Sequence, residues 1–278
     1  MNQNMVPKVI HYCWFSGDKM PPMIIECIKS WTTIMPDYTL KLWDANSFDF
    51  NSIAFVKEAF EAKKWAFVAD YIRLYALYTE GGIYLDSDVK VFRQFDEFLS
   101  YNFFTSHEYH PANFSQLEVS KLDVNYRPIN INETINGMNV QAAIMGAKKG
   151  NLYLKDCLNF YDDKHLIDEN NNLKCEDFII GPIISKIAER YGYTYQDTEQ
   201  LLDQNMIIFK TDKFVGNSSF YTKNAYAIHL CNGTWREKNS FDKMFQKIRN
   251  HYPSFFPTFV FLYKTIKKIE RIFYFEKK

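Results

Sequence analysis

Two periods of hydrophobic and polar positions organise this chain. Val9-Ile10-His11-Tyr12-Cys13-Trp14-Phe15 is a short apolar, β-prone run ending at Ser16-Gly17-Asp18, which predicts a buried strand leading into a loop. Pro21-Pro22 opens a helix through Trp31, because proline suits a first helical turn. Pro36-Asp37 turns the chain, and Tyr38-Thr39-Leu40-Lys41-Leu42-Trp43 alternates as a second strand. This β-α-β order predicts an α/β sheet with right-handed crossovers.

Residues 53–79 lack glycine and proline and form the strongest helical stretch, with Trp65 opening its second half. Gly81-Gly82 ends it, Ile83-Tyr84-Leu85 follows as a short strand, and Asp86-Ser87-Asp88 precedes the apolar Val89-Lys90-Val91-Phe92. From Tyr101 to Asn139 the text is irregular and polar, and reads as a loop-rich insertion of a length that usually serves function. Gln141 to Met145 reads as a strand, Tyr153 to Tyr161 as a helix, and Asn170-Asn171-Asn172 as a turn. Gly181-Pro182 is expected to break the chain before an amphipathic helix, Ile183 to Tyr191. Met206 to Phe209 and Tyr226 to Leu230 are late strands. Near the end Phe259, Leu262, Tyr263, Ile266, Ile269 and Phe273 recur at helical spacing among Lys264, Lys267, Lys268 and Arg271. The expected division is a catalytic domain, 1–250, and a basic amphipathic helix, 251–278.

Composition narrows the class. The 278 residues are 47% apolar and 18% aromatic, enough to bury a core without disulfide or metal staples. Lys plus Arg and Asp plus Glu balance at 33 each, against the basic excess of a nucleic-acid binder. Five scattered cysteines without a C-x-x-C pair read as free thiols in a reducing compartment. The N-terminus shows no secretory h-region, and no window offers the ~18 apolar residues of a membrane span. A cytoplasmic location is expected. The tail carries two readings: contact with an anionic inner membrane face, or a helix docked on the domain with its lysines in solvent.

The chemistry concentrates around Gly81. Asp86 and Asp88 are two apart, so on extended backbone both carboxylates point to one side. They repel each other unless a cation sits nearby, and oxygen ligands suit Mg²⁺ or Mn²⁺ better than Zn²⁺. Such an ion keeps positions open for phosphate oxygens, as a nucleotide diphosphate requires. Asp70 and Arg73 share a helix face and could order a ribose and a sugar or phosphate; the plainer reading is a surface ion pair. From spacing alone Trp14, Tyr84 and His229 read as core residues as readily as ligand contacts. Asn139 and Gln141, just before a strand, touch a sugar or face water. His107, Glu108 and His110 read as a solvated acceptor-side loop in preference to a metal site.

The chain resembles glycosyltransferase family 32, the group with a D-x-D sugar-binding region. The likeness rests on Pro7 through Phe15, Trp65 through Arg73, Gly81 through Val89, Gly181-Pro182, Ala227-Ile228-His229 and Thr234-Trp235, and covers roughly residues 6–236. The catalytic domains of large clostridial glucosylating toxins share the pattern more distantly. The resemblance implies a GT-A type nucleotide-sugar-binding fold, a Rossmann-like mixed sheet flanked by helices. It also implies metal-dependent, retaining transfer of a hexosyl or N-acetylhexosaminyl group. By the same resemblance Asp88 is a metal ligand, Asp86 holds donor hydroxyls and helps place the metal, and His229 is a second protein ligand. Asp70 and Arg73 contact the donor sugar, Tyr84 lies beside the nucleotide, and Trp14 stacks on the base. Trp235 and Thr234, where relatives often have Ser-Trp, face the diphosphate; Gly181, Asn139 and Gln141 complete the donor-binding set. A UDP-sugar is favoured over a GDP-sugar from the toxin-like Asp-x-x-Arg and Tyr-x-Asp-x-Asp pattern. The implied acceptor is a glycan, lipid-linked in the membrane reading, in capsule, O-antigen or other surface polysaccharide synthesis. A metal-dependent nucleotide-sugar hydrolase and a non-catalytic nucleotide-sugar or glycan-binding module are the alternatives.

Overall fold

A computed structural model describes residues 5–230; Thr234, Trp235 and the tail helix expected at 251–278 lie outside the described residues. In chain order the elements are β1 (Val9–Cys13), α1 (Pro22–Ile34), β2 (Thr39–Trp43), α2 (Ala54–Glu61), α3 (Trp65–Glu80), β3 (Gly82–Leu85), β4 (Val89–Val91), β5 (Phe103–Tyr109), α4 (Gln116–Val119), β6 (Met138–Val140), β7 (Ile144–Ala147), α5 (Leu152–Asn159), α6 (Ile180–Ala188), β8 (Gln200–Leu202), β9 (Met206–Phe209), β10 (Phe214–Val215) and β11 (Ala227–His229). The main sheet runs β2-β1-β3-β7-β5-β9-β8, with β6 beside β5. β1 is parallel to β2 and β3, and β7 is antiparallel to β3 and β5. A smaller sheet runs β10-β11-β4. This mixed sheet flanked by helices is the α/β architecture the sequence implies.

Each face of the main sheet carries its own core. Phe55, Val68, Ile72, Leu77, Leu154 and Ile184, from α2, α3, α5 and α6, are fully buried on one side. Ile10, Trp31, Ile83, Leu85, Phe104 and Phe214 are buried in the other. Trp31 Nε1 donates to the Val89 carbonyl at 2.7 Å, tying α1 to β4. The helical stretch at 53–79 divides at Lys63, whose φ is 55°. Gly81 and Gly82 do more than stop a helix. With φ of 72° and 114°, they take backbone conformations that side chains resist. A Cβ on Gly82 would lie 2.7 Å from the Val9 carbonyl oxygen, so glycine lets β3 start directly against β1.

The region expected to be irregular departs from that reading. Its first part is β5, a seven-residue strand inside the sheet. Thr105, Ser106 and His107 hide it from a periodicity reading, yet all three are buried because each satisfies a neighbour. Thr105 Oγ1 donates to the Ile144 carbonyl at 2.6 Å, Ser106 Oγ accepts from Phe214 N at 3.0 Å, and His107 bonds Tyr193 and the Thr198 carbonyl. His107 is thus a structural core residue and not part of a solvated loop. The strand expected from Gln141 is β7 and begins at Ile144; residues 141–143 bend past the site instead. Gly181-Pro182 does not precede its helix but forms the first turn of α6, where a proline's missing N–H costs nothing. Strands β8 and β10, three and two residues long, carry too short a pattern to be read.

Candidate active site

The carboxyl ends of parallel β1 and β3 open on one edge of the sheet, where open α/β folds bind ligands. Asp86 leaves β3 at that edge, its N–H held by the Ala143 carbonyl at 2.9 Å. Val89 N then donates to the Asp86 carbonyl, a tight turn that carries the chain from Asp86 to Asp88 and into β4. β4 pairs antiparallel with β11, placing His229 opposite Val89. That pairing joins residues 140 positions apart in sequence. His229 Nε2 lies 3.1 Å from Asp88 Oδ1 and 3.7 Å from Asp86 Oδ2. One ligand atom from each of the three residues lies within 4.8 Å of the others.

Asp86 divides its two oxygens. Oδ1 accepts from the Tyr84 hydroxyl at 2.9 Å and lies 3.3 Å from Arg73 Nη2, while Oδ2 faces His229. Arg73 and Tyr84 are thereby positioning residues beneath the carboxylate, with the guanidinium 4.8 Å from the Tyr84 ring centre. Arg73 is 5% exposed, and its other donors go to the Ala142 carbonyl at 2.8 Å and the Ala69 carbonyl at 3.2 Å. Burial works against its charge; Asp86 and Asp70 more than offset that and hold its pKa above the ordinary value. The Asp70–Arg73 pair predicted from spacing forms at 2.8 Å, but inside the protein and not on its surface.

Burial pushes the Asp70 carboxyl from 3.8 up to about 7, even with Arg73 beside it. The folded chain therefore holds a proton that the unfolded chain has already released. Stability from this group is present at low pH and is lost as pH rises from about 4 through about 7. Asp70→Asn should remove that decline. Thermal unfolding in chelator across this range reads it; a slope unchanged by the substitution would contradict the assignment.

The donor set fits a divalent cation. Two carboxylates held together repel each other, and an ion between them relieves that repulsion. An imidazole as third ligand favours Mn²⁺ over Mg²⁺, which prefers oxygen ligands and retained waters.

The remaining expected residues are distributed around this centre. Trp14 follows β1, half-buried against Met23, Ile24 and Cys27 of α1, with Leu230 in the same cluster. Its indole N–H is taken by the Asp18 carbonyl at 2.7 Å, so only the ring is left for a ligand. Gly181 lies against Asn139, 3.4 Å from a built Cβ to the Asn139 Cβ. Ser185, one turn along α6, donates to the Gly181 carbonyl and accepts from Val140 N, both at 2.7 Å. Asn139 and Gln141 are buried, and neither faces water as a loop residue. The Ala142 and Ala143 carbonyls, which orient Arg73 and Asp86, were beyond sequence reasoning because backbone groups carry no residue signal. Gly216, isolated at the end of β10, carried the one available hint of a close backbone approach.

Residues 21–105 match the family described as "Glycosyltransferase sugar-binding region containing DXD motif". Inositol phosphoceramide mannosyltransferase 3 of Schizosaccharomyces pombe (strain 972) is 32% identical over 100 residues, which are 34% of this chain and 28% of that protein's length. Among solved structures, the PaToxG glycosyltransferase aligns at 16% identity and a TM-score of 0.44 over 67% of this chain and 70% of its own. The galactosyltransferase LgtC, solved with donor and acceptor sugar analogs, aligns at 15% identity and 0.39 over 80% and 87%. Likeness at that level assigns neither residue nor substrate. The segment that builds α1, α3, β3 and the Asp86–Asp88 turn is the matched one, and over it the chain is similar to DXD-containing glycosyltransferases.

Proposed function

We propose that this protein is a metal-dependent, retaining glycosyltransferase that moves a sugar from a UDP-sugar to a hydroxyl of a glycan. The observation that carries this reading is the Asp86–Asp88–His229 cluster at the carboxyl edge of the sheet, backed by a buried arginine. In the reaction the bond from the sugar C1 to the diphosphate oxygen breaks, with its electrons leaving on the diphosphate. The acceptor oxygen bonds C1 and gives up its proton. A divalent ion held by Asp86, Asp88 and His229 would neutralise the leaving diphosphate. The chain's own task is to keep that ligand set rigid. Tyr84 and Arg73 fix one oxygen of Asp86 so that the other points toward His229.

Retention and the UDP preference rest on the family resemblance of the sequence, as does an acceptor in surface polysaccharide synthesis. The fission-yeast relative's name adds mannosyl donors and lipid-borne acceptors to the candidates. No helix among the described residues is long and apolar enough to cross a membrane. Membrane contact through residues 251–278 is a proposal from their sequence pattern alone.

Thermal unfolding with a panel of UDP- and GDP-sugars, mannosyl donors included, tests the reading in Mn²⁺ and in chelator. A donor at about 100 times its Kd stabilises the native state by about 2.7 kcal/mol. We expect such a shift for one donor and only with Mn²⁺. A folded protein that no donor stabilises would contradict the proposal. A hydrolase would consume the donor at a rate indifferent to any added glycan.

A further inference from the structure

The β5–β6 ladder carries a carboxylate that the metal centre does not use. Glu108 on β5 stands opposite Asn139 on β6. Its Oε1 lies 3.2 Å from His110 Nε2, and its side chain keeps 24% exposure, so it is open on one side. Gly216, just past β10, lies against it. A Cβ there would stand 3.2 Å from Glu108 Cγ and 2.8 Å from Gln141 Nε2. The glycine therefore brings the small sheet against both side chains, and that sheet delivers His229 through β11. Glu108 thus sits where the two sheets meet, on the side of the metal centre.

Its electrostatics agree with that placement. Burial would raise the Glu108 carboxyl, but His110 first, and then His229 and Arg73, outweigh it and hold the group ionised below its usual range. Around it stand two buried oxygens without a hydrogen-bond partner, Asn139 Oδ1 and Gln141 Oε1. The Gln141 amide is oriented by its Nε2, which donates to the Phe214 carbonyl at 2.9 Å, so its oxygen is the end left over. Buried acceptors left unpaired are costly and rare, which calls for a ligand that supplies donors. A phosphate would be repelled by the Glu108 charge. A sugar, dense in O–H groups, matches a lining rich in acceptors.

We propose that Glu108, flanked by Asn139 and Gln141, is a substrate-contacting residue that accepts hydrogen bonds from sugar hydroxyls. This rests on the glycosyltransferase reading above and adds the sugar-facing carboxylate to it. The hydroxyls could belong to the donor sugar or to the acceptor, and one variant separates the two.

Glu108→Gln keeps the shape and removes the charge. Wild type and variant are compared in Mn²⁺ with the donor that stabilises the wild type. Donor affinity is measured, together with donor turnover with and without methyl glycosides of mannose, glucose, galactose and N-acetylglucosamine. Losing a hydrogen bond to a charged group is expected to cost about 10- to 100-fold. That loss in donor affinity places the hydroxyl on the donor. The same loss in glycoside-dependent turnover, at unchanged donor affinity, places it on the acceptor. Unfolding temperatures matched between the two proteins exclude a folding defect; where Glu108→Gln is poorly folded, Glu108→Asp takes its place in the same comparison. A variant indistinguishable from wild type in affinity and turnover overturns the proposal and leaves the glycosyltransferase reading standing. A wild type that binds no donor removes both.

Discussion

Asp88→Ala is expected to lower Mn²⁺-dependent donor turnover by about a thousandfold, the upper range for removing one group that stabilises charge in a transition state. The aspartate carries the shortest contact to His229 in the cluster, 3.1 Å, and shares the narrow space with Asp86. Without it an ion would keep one carboxylate and one imidazole from the protein. Folding should not suffer, since the substitution also removes a repulsion between like charges. The expected pattern is therefore an unfolding temperature in chelator at or above that of wild type, with loss of the Mn²⁺-dependent donor shift. Turnover within tenfold of wild type would take Asp88 out of the site.

Arg73→Met has the opposite signature, a large loss of stability. The guanidinium is buried between Asp70 at 2.8 Å and Asp86 at 3.3 Å and also holds the Ala142 carbonyl. Removing one partner of a buried ionic group leaves charge uncompensated, at about 3–5 kcal/mol. For a domain of this size about 1 kcal/mol moves the melting temperature by about 2–4 °C, so a fall of about 6–20 °C is expected. Above pH 7, where Asp70 is ionised beside Arg73, adding Asp70→Asn should recover part of the fall, because the two residues act through one network. Additive losses in the double variant would show that Asp70 and Arg73 are not coupled as their geometry indicates.

How legible the site was depended on whether a residue acts within one element or between two. β1, α1, β2 and β3 repeat apolar residues at their own period, and the Asp86–Asp88 spacing at a strand exit already pointed to a cation. His229 was different. Nothing within its own segment distinguishes it from a core histidine, and the β4–β11 pairing that brings it to Asp88 is a long-range contact. It was reached through family resemblance. Asp70 and Arg73 were read at the right spacing, but α3 is buried nearly all round, which a charged pair in a sequence does not announce. Glu108 was misplaced with its strand. Thr105, Ser106 and His107 interrupt the apolar pattern of β5, and their burial depends on partners from three other segments. Gly181 was taken for a break because glycine before proline usually is one. Here Ser185 and Asn139 use its bare backbone to dock α6 on β6.

In the proposed site Asp86, Asp88 and His229 hold a divalent ion that receives a nucleoside diphosphate. Titrating Mn²⁺ into the protein, with free ion followed by electron paramagnetic resonance and with and without UDP, tests it most directly. A single Mn²⁺ site per chain is expected, tightened by UDP and lost in Asp88→Ala. Mn²⁺ bound equally well by Asp88→Ala, or no Mn²⁺ bound even with UDP present, would contradict it.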